Sequence, residues 1–337
     1  MWIIYILIIV FLILLFFSKL ILAFVFGKRC EGNPNLKYFT ADDFEELEAK
    51  NIDFKSNKNQ ILRGFVYTNK NITEYKGLII FVHGMGAGHF SYTTEINTLT
   101  KSGFKVVSYD NTGTCLSDGK SLKGFFQSVL DLKCALNFIK ENEELNKYEV
   151  SLVGHSWGAY TVCQVLQFEP KVKSVVAFSG PNNFSKLICD LIDGGKGKFR
   201  FLKPFLNLVN LLTFGPKANK NTTDILKTTD VPVLLLHGDL DTTCSVKNSL
   251  IADTEIFKNK ENIKTILYKN RYHNVYQTRE SEKYLNEVFG KINELNKKYK
   301  GEELEKNVRP VYDGIDYKKI TEEDDEVMKE VINFLNK

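Results

Sequence analysis

The stretch LVGHSWGAYTVCQVL (152–166) places Ser156 between two glycines and between two apolar runs. The residues EVSLVG (149–154) have the length and composition of a buried strand, and AYTVCQVLQF (159–168) can form a helix with an apolar face. The glycines leave room for a serine on a sharp turn between strand and helix, as in the G-x-S-x-G pattern of nucleophilic serines. Because five-residue patterns also arise by chance, a plain joint between strand and helix is the alternative. The partners available to Ser156 must decide between the two.

A serine hydroxyl needs a base to remove its proton, and the base needs an acid to orient it. The chain has five histidines. We predict that His273 is the base, because it lies in a late loop after the strand-like run IKTILYK (263–269). For His155, beside Ser156, we expect a side chain that points away from the face carrying the serine. A loop histidine that is merely hydrogen-bonded is the alternative for His273. The remaining histidines are His83, His89 and His237.

The acid is predicted in HGDLDTTCS, which follows the apolar run VPVLLLH (231–237). Asp239 and Asp241 both stand where an aspartate could cap a following helix. We favour Asp241 as the acid, because Asp239 lies closer to the strand end and is better placed to brace the loop. The resulting order, Ser156, then Asp241, then His273, is the order in which triad partners follow a serine of the G-x-S-x-G type.

Acyl transfer also needs donors for the oxyanion, and two backbone N–H groups usually serve. One is expected from Trp157, the residue after the serine. The other is expected from Met85, in the glycine-rich turn that ends GLIIFVHGMGAGH (77–89). Gly84, Gly86 and Gly88 could instead mark a flexible turn or a phosphate cradle. The phosphate cradle is the weaker alternative, because no Walker lysine or dinucleotide spacing follows these glycines.

Several motifs together carry a family resemblance, and they occur in the order FVHGMGAGH, SYDNTGTCLSDG, VGHSWGA, LLHGDLD and YHN. In these motifs the chain resembles the α/β-hydrolase superfamily, over about residues 50–275 and the final helix. Within the superfamily it is similar to the branch of serine aminopeptidases and monoglyceride-lipase-like (lysophospholipase-like) enzymes. The resemblance implies roles for five residues: nucleophile Ser156, acid Asp241, base His273, and oxyanion donors Met85 and Trp157.

Two residues depart from the family pattern. Trp157 replaces the smaller or more flexible residue often found after the serine, and we expect it to narrow the acyl pocket. Cys115 stands where glycine is common in NTGTCLSDG. Neither change removes a catalytic group.

The rest of the chain predicts an α/β fold with a mainly parallel sheet flanked by helices. Helix-length segments such as SVLDLKCALNFIKEN (128–142) separate several short apolar runs. An antiparallel hairpin is predicted at the sheet edge from NIDFKS (51–56) and ILRGFVYT (61–68). We assign residues 51–337 to the hydrolase domain. The apolar runs lie at 77–82, 105–109, 149–153, 174–178, 231–236 and 263–268.

Two insertions are expected within this domain. Residues 181–229 contain KFRFLKPFLNLVNLLTFGP, and the resemblance implies a helical cap here, over the active site, whose apolar side chains would suit an acyl chain. A helix packed on the core is the alternative. Residues 277–320 form a helical insertion before the terminal helix of 322–337. We expect a solvated hairpin between the charged helix of this insertion and the terminal helix.

The amino terminus is a run of apolar residues broken only by Ser18 and Lys19. At about 1.5 Å per residue, a helix over residues 2–24 spans a hydrocarbon core of about 30 Å. No positive region precedes the run and no A-x-A site follows it, so we predict a single-pass transmembrane anchor over 1–27 rather than a cleaved signal peptide. Residues 28–50 are assigned to a juxtamembrane linker or helix. Lys28 and Arg29 follow this run, and the excess of positive charge on cytoplasmic loops then predicts that the catalytic domain lies on the cytoplasmic face.

Charge and cysteine content argue against nucleic-acid binding, a disulfide framework and a metal site. The net charge is only +4, with 45 basic and 41 acidic residues, which gives no case for nucleic-acid binding. The six cysteines are scattered and lack the spacing of a disulfide framework or a metal site. We therefore predict no metal and no cofactor.

These features predict a membrane-anchored serine hydrolase that cleaves esters of lipid-like substrates, such as a monoacylglycerol or lysophospholipid, through an acyl-enzyme. A serine aminopeptidase is one alternative; it would need acidic groups in the cap to hold a substrate amine, and Asp190 and Asp193 are the visible ones. The other alternative is a non-catalytic domain that binds a lipid or a partner protein. The sequence does not predict the oligomeric state.

Overall fold

The computed structural model describes residues 1–86 and 88–337. Ala87, in the glycine-rich turn, lies outside the described residues. The strands form one sheet in the order β1-β2-β4-β3-β5-β6-β7-β8. Their bounds are β1 (Leu47–Lys55), β2 (Ile61–Asn69), β3 (Gly77–Val82), β4 (Phe104–Tyr109), β5 (Val150–His155), β6 (Ser174–Phe178), β7 (Val233–Gly238) and β8 (Ile263–Tyr268).

Strands β3 to β8 pair in parallel, whereas β1 and β2 form an antiparallel hairpin at one edge. The predicted, mainly parallel sheet is confirmed. The hairpin begins earlier than expected, because Leu47 is buried and pairs with Asn69. The last residues assigned to the linker of 28–50 are therefore strand.

Helices cover both faces of the sheet. Successive residues of a strand point to opposite faces, and apolar residues on both faces are buried under helices. Their bounds are α1 (Trp2–Phe26), α2 (Thr93–Lys101), α3 (Gln127–Glu141), α4 (Trp157–Gln164), α5 (Phe184–Asp193), α6 (Lys203–Phe214), α7 (Thr222–Thr228), α8 (Arg279–Lys298), α9 (Gly301–Asp313), α10 (Tyr317–Ile320) and α11 (Asp325–Leu335). Ile80 of β3 packs in the same cluster as Leu132 of α3. Its neighbour Ile79 packs in a second cluster with Leu99 of α2 and Val331 of α11.

Helix α1 is long and apolar enough to cross a membrane, and most of its surface is exposed. One side of α1 packs against the helices of 181–229. The rings of Phe11 and Phe205 of α6 lie 5.5 Å apart, and Ser18 is fully buried. Part of the apolar surface of α6 is thus covered by α1.

The chain that leaves α1 is held to the loop after β4. The Arg29 guanidinium donates to the carbonyl oxygens of Cys115, Ser117 and Gly119 at 2.6, 2.8 and 2.7 Å. Cys30 makes an isolated parallel bridge with Thr114. These bonds join the linker to the hydrolase domain.

The predicted solvated hairpin before the terminal helix is wrong. This stretch forms α9 and α10, and they pack against α8. Val308 and Tyr312 of α9 are buried together with Val288 and Ile292 of α8. Within each helix the two residues are four positions apart and so lie on one helix face. The charged residues around them obscure that pattern in the sequence.

Candidate active site

Ser156 lies on a strained turn between β5 and α4. Its φ is 55° and its ψ is −112°, a region that residues other than glycine rarely adopt. A Cβ at Gly154 would come within 2.4 Å of the Gly158 carbonyl oxygen, and one at Gly158 within 1.9 Å of the Val82 carbonyl oxygen. The Ser156 N–H donates to the Phe178 carbonyl at 2.8 Å. The glycines therefore allow the close backbone contacts that hold the serine on this turn.

His273 and Asp241 are brought together from the loops after β8 and β7. The distance from His273 Nδ1 to Asp241 Oδ2 is 2.7 Å. The other carboxylate oxygen, Oδ1, accepts the N–H groups of Thr243 and Cys244 at 2.8 Å each. The backbone thus orients the carboxylate through Oδ1, and Oδ2 faces the imidazole of His273.

A second imidazole, that of His237, also contacts this carboxylate. His237 Nε2 lies 2.8 Å from the Cys244 carbonyl and 3.2 Å from Asp241 Oδ2, so Nε2 must carry the hydrogen. Burial alone would raise the pKa of Asp241, but the bonds from His237 and His273 lower the pKa below its usual range. The ionised Asp241 accepts only, so neutral His273 carries its hydrogen on Nδ1 and leaves Nε2 free to take a proton. Sequence reasoning missed His237, although its spacing of four residues from Asp241 was visible.

Asp239, the other candidate acid, lies apart from His273. Its Oδ2 is 3.9 Å from Lys269 Nζ. Of the two aspartates, only Asp241 hydrogen-bonds to His273 within the described residues.

His155 lies closer to the site than expected, because its ring centroid is 4.7 Å from that of His273. Its Nε2 donates to the His273 carbonyl at 3.1 Å, and its Nδ1 accepts the Tyr92 hydroxyl at 2.8 Å. The Tyr92 oxygen in turn accepts the Gly84 N–H at 3.0 Å. Burial lowers the pKa of His155 to about 3, so the ring is neutral. Since both ring nitrogens are engaged, His155 supports the neighbouring loops and is unsuited to act as the base for Ser156.

The other two histidines are fully buried near the glycine-rich turn. His83 Nε2 accepts the Asn111 N–H at 3.0 Å, and its Nδ1 donates to the Gly84 carbonyl at 2.6 Å. His89 Nδ1 lies 2.8 Å from Asp110 Oδ1. Both rings connect this turn to the loop after β4.

Met85 and Trp157, the candidate oxyanion donors, lie at the ends of neighbouring elements. Met85 follows β3 and lines the same cavity as Ser156. Trp157 is the first residue of α4, where backbone N–H groups lack partners within the helix. The expectation that the Trp157 ring narrows the acyl pocket is wrong. The ring is buried and stacked on Phe125, and its Nε1 donates to the Phe125 carbonyl at 2.8 Å.

Cys115, which stands where the family often has glycine, has a φ of 35°. Glycine adopts this left-handed backbone conformation without strain, whereas other residues adopt it less readily. Its carbonyl accepts the Arg29 guanidinium, so the loop keeps its shape with cysteine present.

A cavity of about 360 Å³ opens beside Ser156 and His273. Among the described residues, none that lines it comes from 181–229. The expectation that the insertion of 181–229 lies over the active site therefore differs from the structure, in which α6 contacts α1 instead. Other lining residues come from 36–38 and from α8 and α10, which sequence reasoning did not assign to the site. Larger clefts of about 800 Å³ elsewhere on the surface are not lined by Ser156 or His273.

Comparisons with known proteins agree with this architecture. The sequence model of the family described as "alpha/beta hydrolase fold" matches residues 77–327. No curated protein sequence matches the chain. An esterase from Pyrococcus furiosus is similar in structure, with a TM-score of 0.57 and 21% identity over 81% of this chain and 99% of the esterase.

Two further solved structures share the fold. Est1E from Butyrivibrio proteoclasticus, bound to ferulic acid, has a TM-score of 0.51 and 17% identity, over 66% of this chain and 90% of that protein. An acylaminoacyl peptidase from Pyrococcus horikoshii has a TM-score of 0.50 and 17% identity, over 69% of this chain and 38% of the peptidase. With the family match over most of its length and the serine turn at the end of β5, this chain belongs to the α/β-hydrolase family.

Proposed function

We propose that this protein is a membrane-anchored serine hydrolase that cleaves carboxylic esters of lipid-like substrates, of the monoacylglycerol or lysophospholipid type. The observation that carries the proposal is the 2.7 Å hydrogen bond between His273 and Asp241 at a cavity that Ser156 also lines. A nucleophile, a base and an orienting acid are the groups that acyl transfer needs.

In the proposed mechanism, His273 Nε2 takes the hydroxyl proton as Ser156 Oγ attacks the ester carbonyl carbon. Asp241 stabilises the imidazolium that forms, and the N–H groups of Met85 and Trp157 bind the oxyanion. Collapse of the tetrahedral intermediate breaks the ester C–O bond, and the imidazolium protonates the departing alcohol. Water, deprotonated by His273, then attacks the acyl-enzyme and releases the carboxylic acid and free Ser156.

The choice of a lipid-like ester rests on two features of this chain. Helix α1 is apolar along its length and supplies an anchor that brings the domain to the bilayer. Leu36, Leu285 and Phe289 give the cavity an apolar side. For orientation we keep the cytoplasmic face, on the basis of the positive charges that follow α1.

A peptidase is less well supported by the same cavity. A bound substrate amine calls for a carboxylate, and none of the described residues that line the cavity is acidic. The acidic residues noted in the insertion, Asp190 and Asp193, lie on α5 and do not line the cavity. Asp190 Oδ1 is 3.9 Å from Arg200, and Asp193 accepts the Phe199 N–H at 3.3 Å.

The proposal is tested by labelling the full-length protein, in mild detergent, with a fluorophosphonate probe and by measuring hydrolysis of p-nitrophenyl esters from acetate to palmitate. We expect labelling and turnover in the wild type, and loss of both in Ser156→Ala and His273→Ala. Ser91→Ala is a matched control, because Ser91 lines the same cavity and should leave labelling intact. Cleavage of peptide amides without cleavage of esters would favour the peptidase. A folded protein that is neither labelled nor active would favour a binding protein.

A further inference from the structure

Part of the wall of the Ser156 cavity comes from segments at the two ends of the chain. Leu36 belongs to the linker that follows α1, whereas Leu285 and Phe289 belong to α8, and Tyr317 and Ile320 to α10. We call these five residues the cavity wall. All of them are apolar or aromatic.

The cavity wall is a packed structure and not a set of loose side chains. Leu36, Leu285, Phe289 and Tyr317 pack against a cluster that is separate from the two clusters of the sheet. Ile320 is buried within that cluster. The linker and the carboxyl-terminal helices thus share one apolar core.

Hydrogen bonds hold the linker in place beside these helices. Asn33 Nδ2 donates to the Tyr312 hydroxyl at 2.8 Å, and the Lys37 N–H donates to the Tyr317 hydroxyl at 2.9 Å. The Asn33 N–H donates to the Tyr38 hydroxyl at 2.9 Å. At the start of the linker, Arg29 is hydrogen-bonded to the loop after β4. The linker is therefore held both where it leaves α1 and where it reaches the cavity.

We propose that the cavity wall is the specificity-determining site that receives the acyl chain of the ester. This inference rests on the proposed function, since the chain must reach Ser156 through the cavity that the wall lines. An aliphatic chain is the ligand that an apolar wall accepts without leaving a polar group unpaired. At about 360 Å³ the cavity lies at the lower end of the roughly 300–1,000 Å³ of ligand pockets, which favours short and medium acyl chains over palmitate.

The test uses two substitutions in the full-length protein that change the cavity in opposite directions. Leu285→Trp fills the cavity and should shift turnover toward shorter p-nitrophenyl esters. Phe289→Ala enlarges it and should shift turnover toward longer ones. Because one methylene in an apolar pocket changes specificity by about 10- to 200-fold, we expect the ratio of kcat/KM for decanoate over butyrate esters to change by at least about tenfold in each case. General destabilisation cannot produce opposite shifts.

Leu212→Ala is the control, because Leu212 is an exposed apolar residue of α6 in the insertion where the family pattern places the acyl pocket. It should keep the wild-type ratio. An unchanged ratio in both wall variants, or a shift in Leu212→Ala alone, would overturn the inference while the ester hydrolysis stands.

Binding of decanoate to Ser156→Ala, measured by titration calorimetry in amphipol, separates the wall from the chemistry. We expect decanoate to bind, and Leu285→Trp in the same background to weaken the Kd at least about tenfold. If the wild type hydrolyses none of the esters, that binding result would support the cavity wall and reject the proposed reaction. If decanoate does not bind, or if Leu285→Trp leaves its Kd unchanged, the cavity wall is not the acyl-chain site.

Discussion

His273 Nδ1 lies 2.7 Å from Asp241 Oδ2, and the backbone N–H groups of Thr243 and Cys244 hold the second oxygen of the same carboxylate. The direction of the imidazole is therefore set by a carboxylate that the main chain itself orients. His237 adds a further donor to that carboxylate at 3.2 Å. The arrangement fixes the His273 tautomer that leaves Nε2 unprotonated.

Replacing Asp241 with Asn should lower kcat for ester hydrolysis by about 10³- to 10⁴-fold, because an amide can stabilise the wrong tautomer and cannot neutralise the imidazolium. Asp239→Asn is the matched control. Asp239 stands two residues earlier and faces Lys269, so its variant should keep nearly full activity. Equal losses in the two variants, measured with p-nitrophenyl butyrate, would argue against Asp241 as the acid.

Gly158→Ala should destabilise the protein by about 1–3 kcal/mol or more, because the added methyl would lie 1.9 Å from the Val82 carbonyl oxygen and neither backbone can yield easily. Gly290→Ala is the opposite case. Gly290 lies exposed within α8 with nothing within 4 Å of an added Cβ, so alanine should stabilise the helix by about 0.5–1 kcal/mol. Urea unfolding of both variants measures the difference, and a neutral Gly158→Ala would contradict the tight turn.

Tyr92→Phe removes the hydroxyl that joins the Gly84 N–H to His155 Nδ1. Two buried polar groups then lack a partner, so we expect a loss of about 1–3 kcal/mol in the free energy of unfolding. Because Gly84 precedes Met85 and His155 bonds to the His273 carbonyl, kcat should also fall by about 10- to 100-fold with little change in KM.

Tyr67→Phe is the control for this prediction. The Tyr67 hydroxyl is buried and has no hydrogen-bond partner among the described residues, so its removal should be neutral or stabilising. If Tyr92→Phe behaved like Tyr67→Phe in urea unfolding and in kcat, the chain from Gly84 to His273 would have no role in the site.

Two carboxyl groups, Glu95 of α2 and Glu323 before α11, should make stability fall as the pH rises. Burial raises the pKa of both, and the nearby Glu323 raises the pKa of Glu95 further, while the Thr98 hydroxyl offsets part of the rise for Glu323. The unfolded chain releases these protons near the ordinary pKa of 4.5, but the folded chain retains them to higher pH. The free energy of unfolding is therefore independent of these groups below that pH and decreases above it.

Glu323→Gln should flatten this decrease, because glutamine stays neutral at every pH. We expect a higher Tm than the wild type near pH 8 and little difference near pH 4. Glu326→Gln, at an exposed position in the first turn of α11, should keep the wild-type pH dependence. A thermal unfolding series from pH 4 to pH 8 would disprove the explanation if Glu323→Gln followed the wild-type curve.

The part of the fold that follows from local patterns could be predicted from the sequence. Short apolar runs such as that of β5 and the helix-length segments between them determine the parallel sheet, because residue periodicity reports directly on burial. The turn at Ser156 was predictable for the same reason, since its glycines are neighbours in the chain. Asp241 and His273 could be named from their positions after strands, but only tertiary structure brings their side chains to 2.7 Å.

Contacts between distant segments were decided by tertiary packing alone. Local sequence does not reveal that Trp157 turns into the core onto Phe125, or that α1 covers apolar surface of α6. Nor does it show that Leu36 meets Phe289 at one cluster beside the Ser156 cavity. Burial stabilises an apolar side chain against any apolar partner, because the hydrophobic effect has no direction. The sequence therefore indicates which side chains are buried, but the three-dimensional arrangement of the chain decides which partners they pack against.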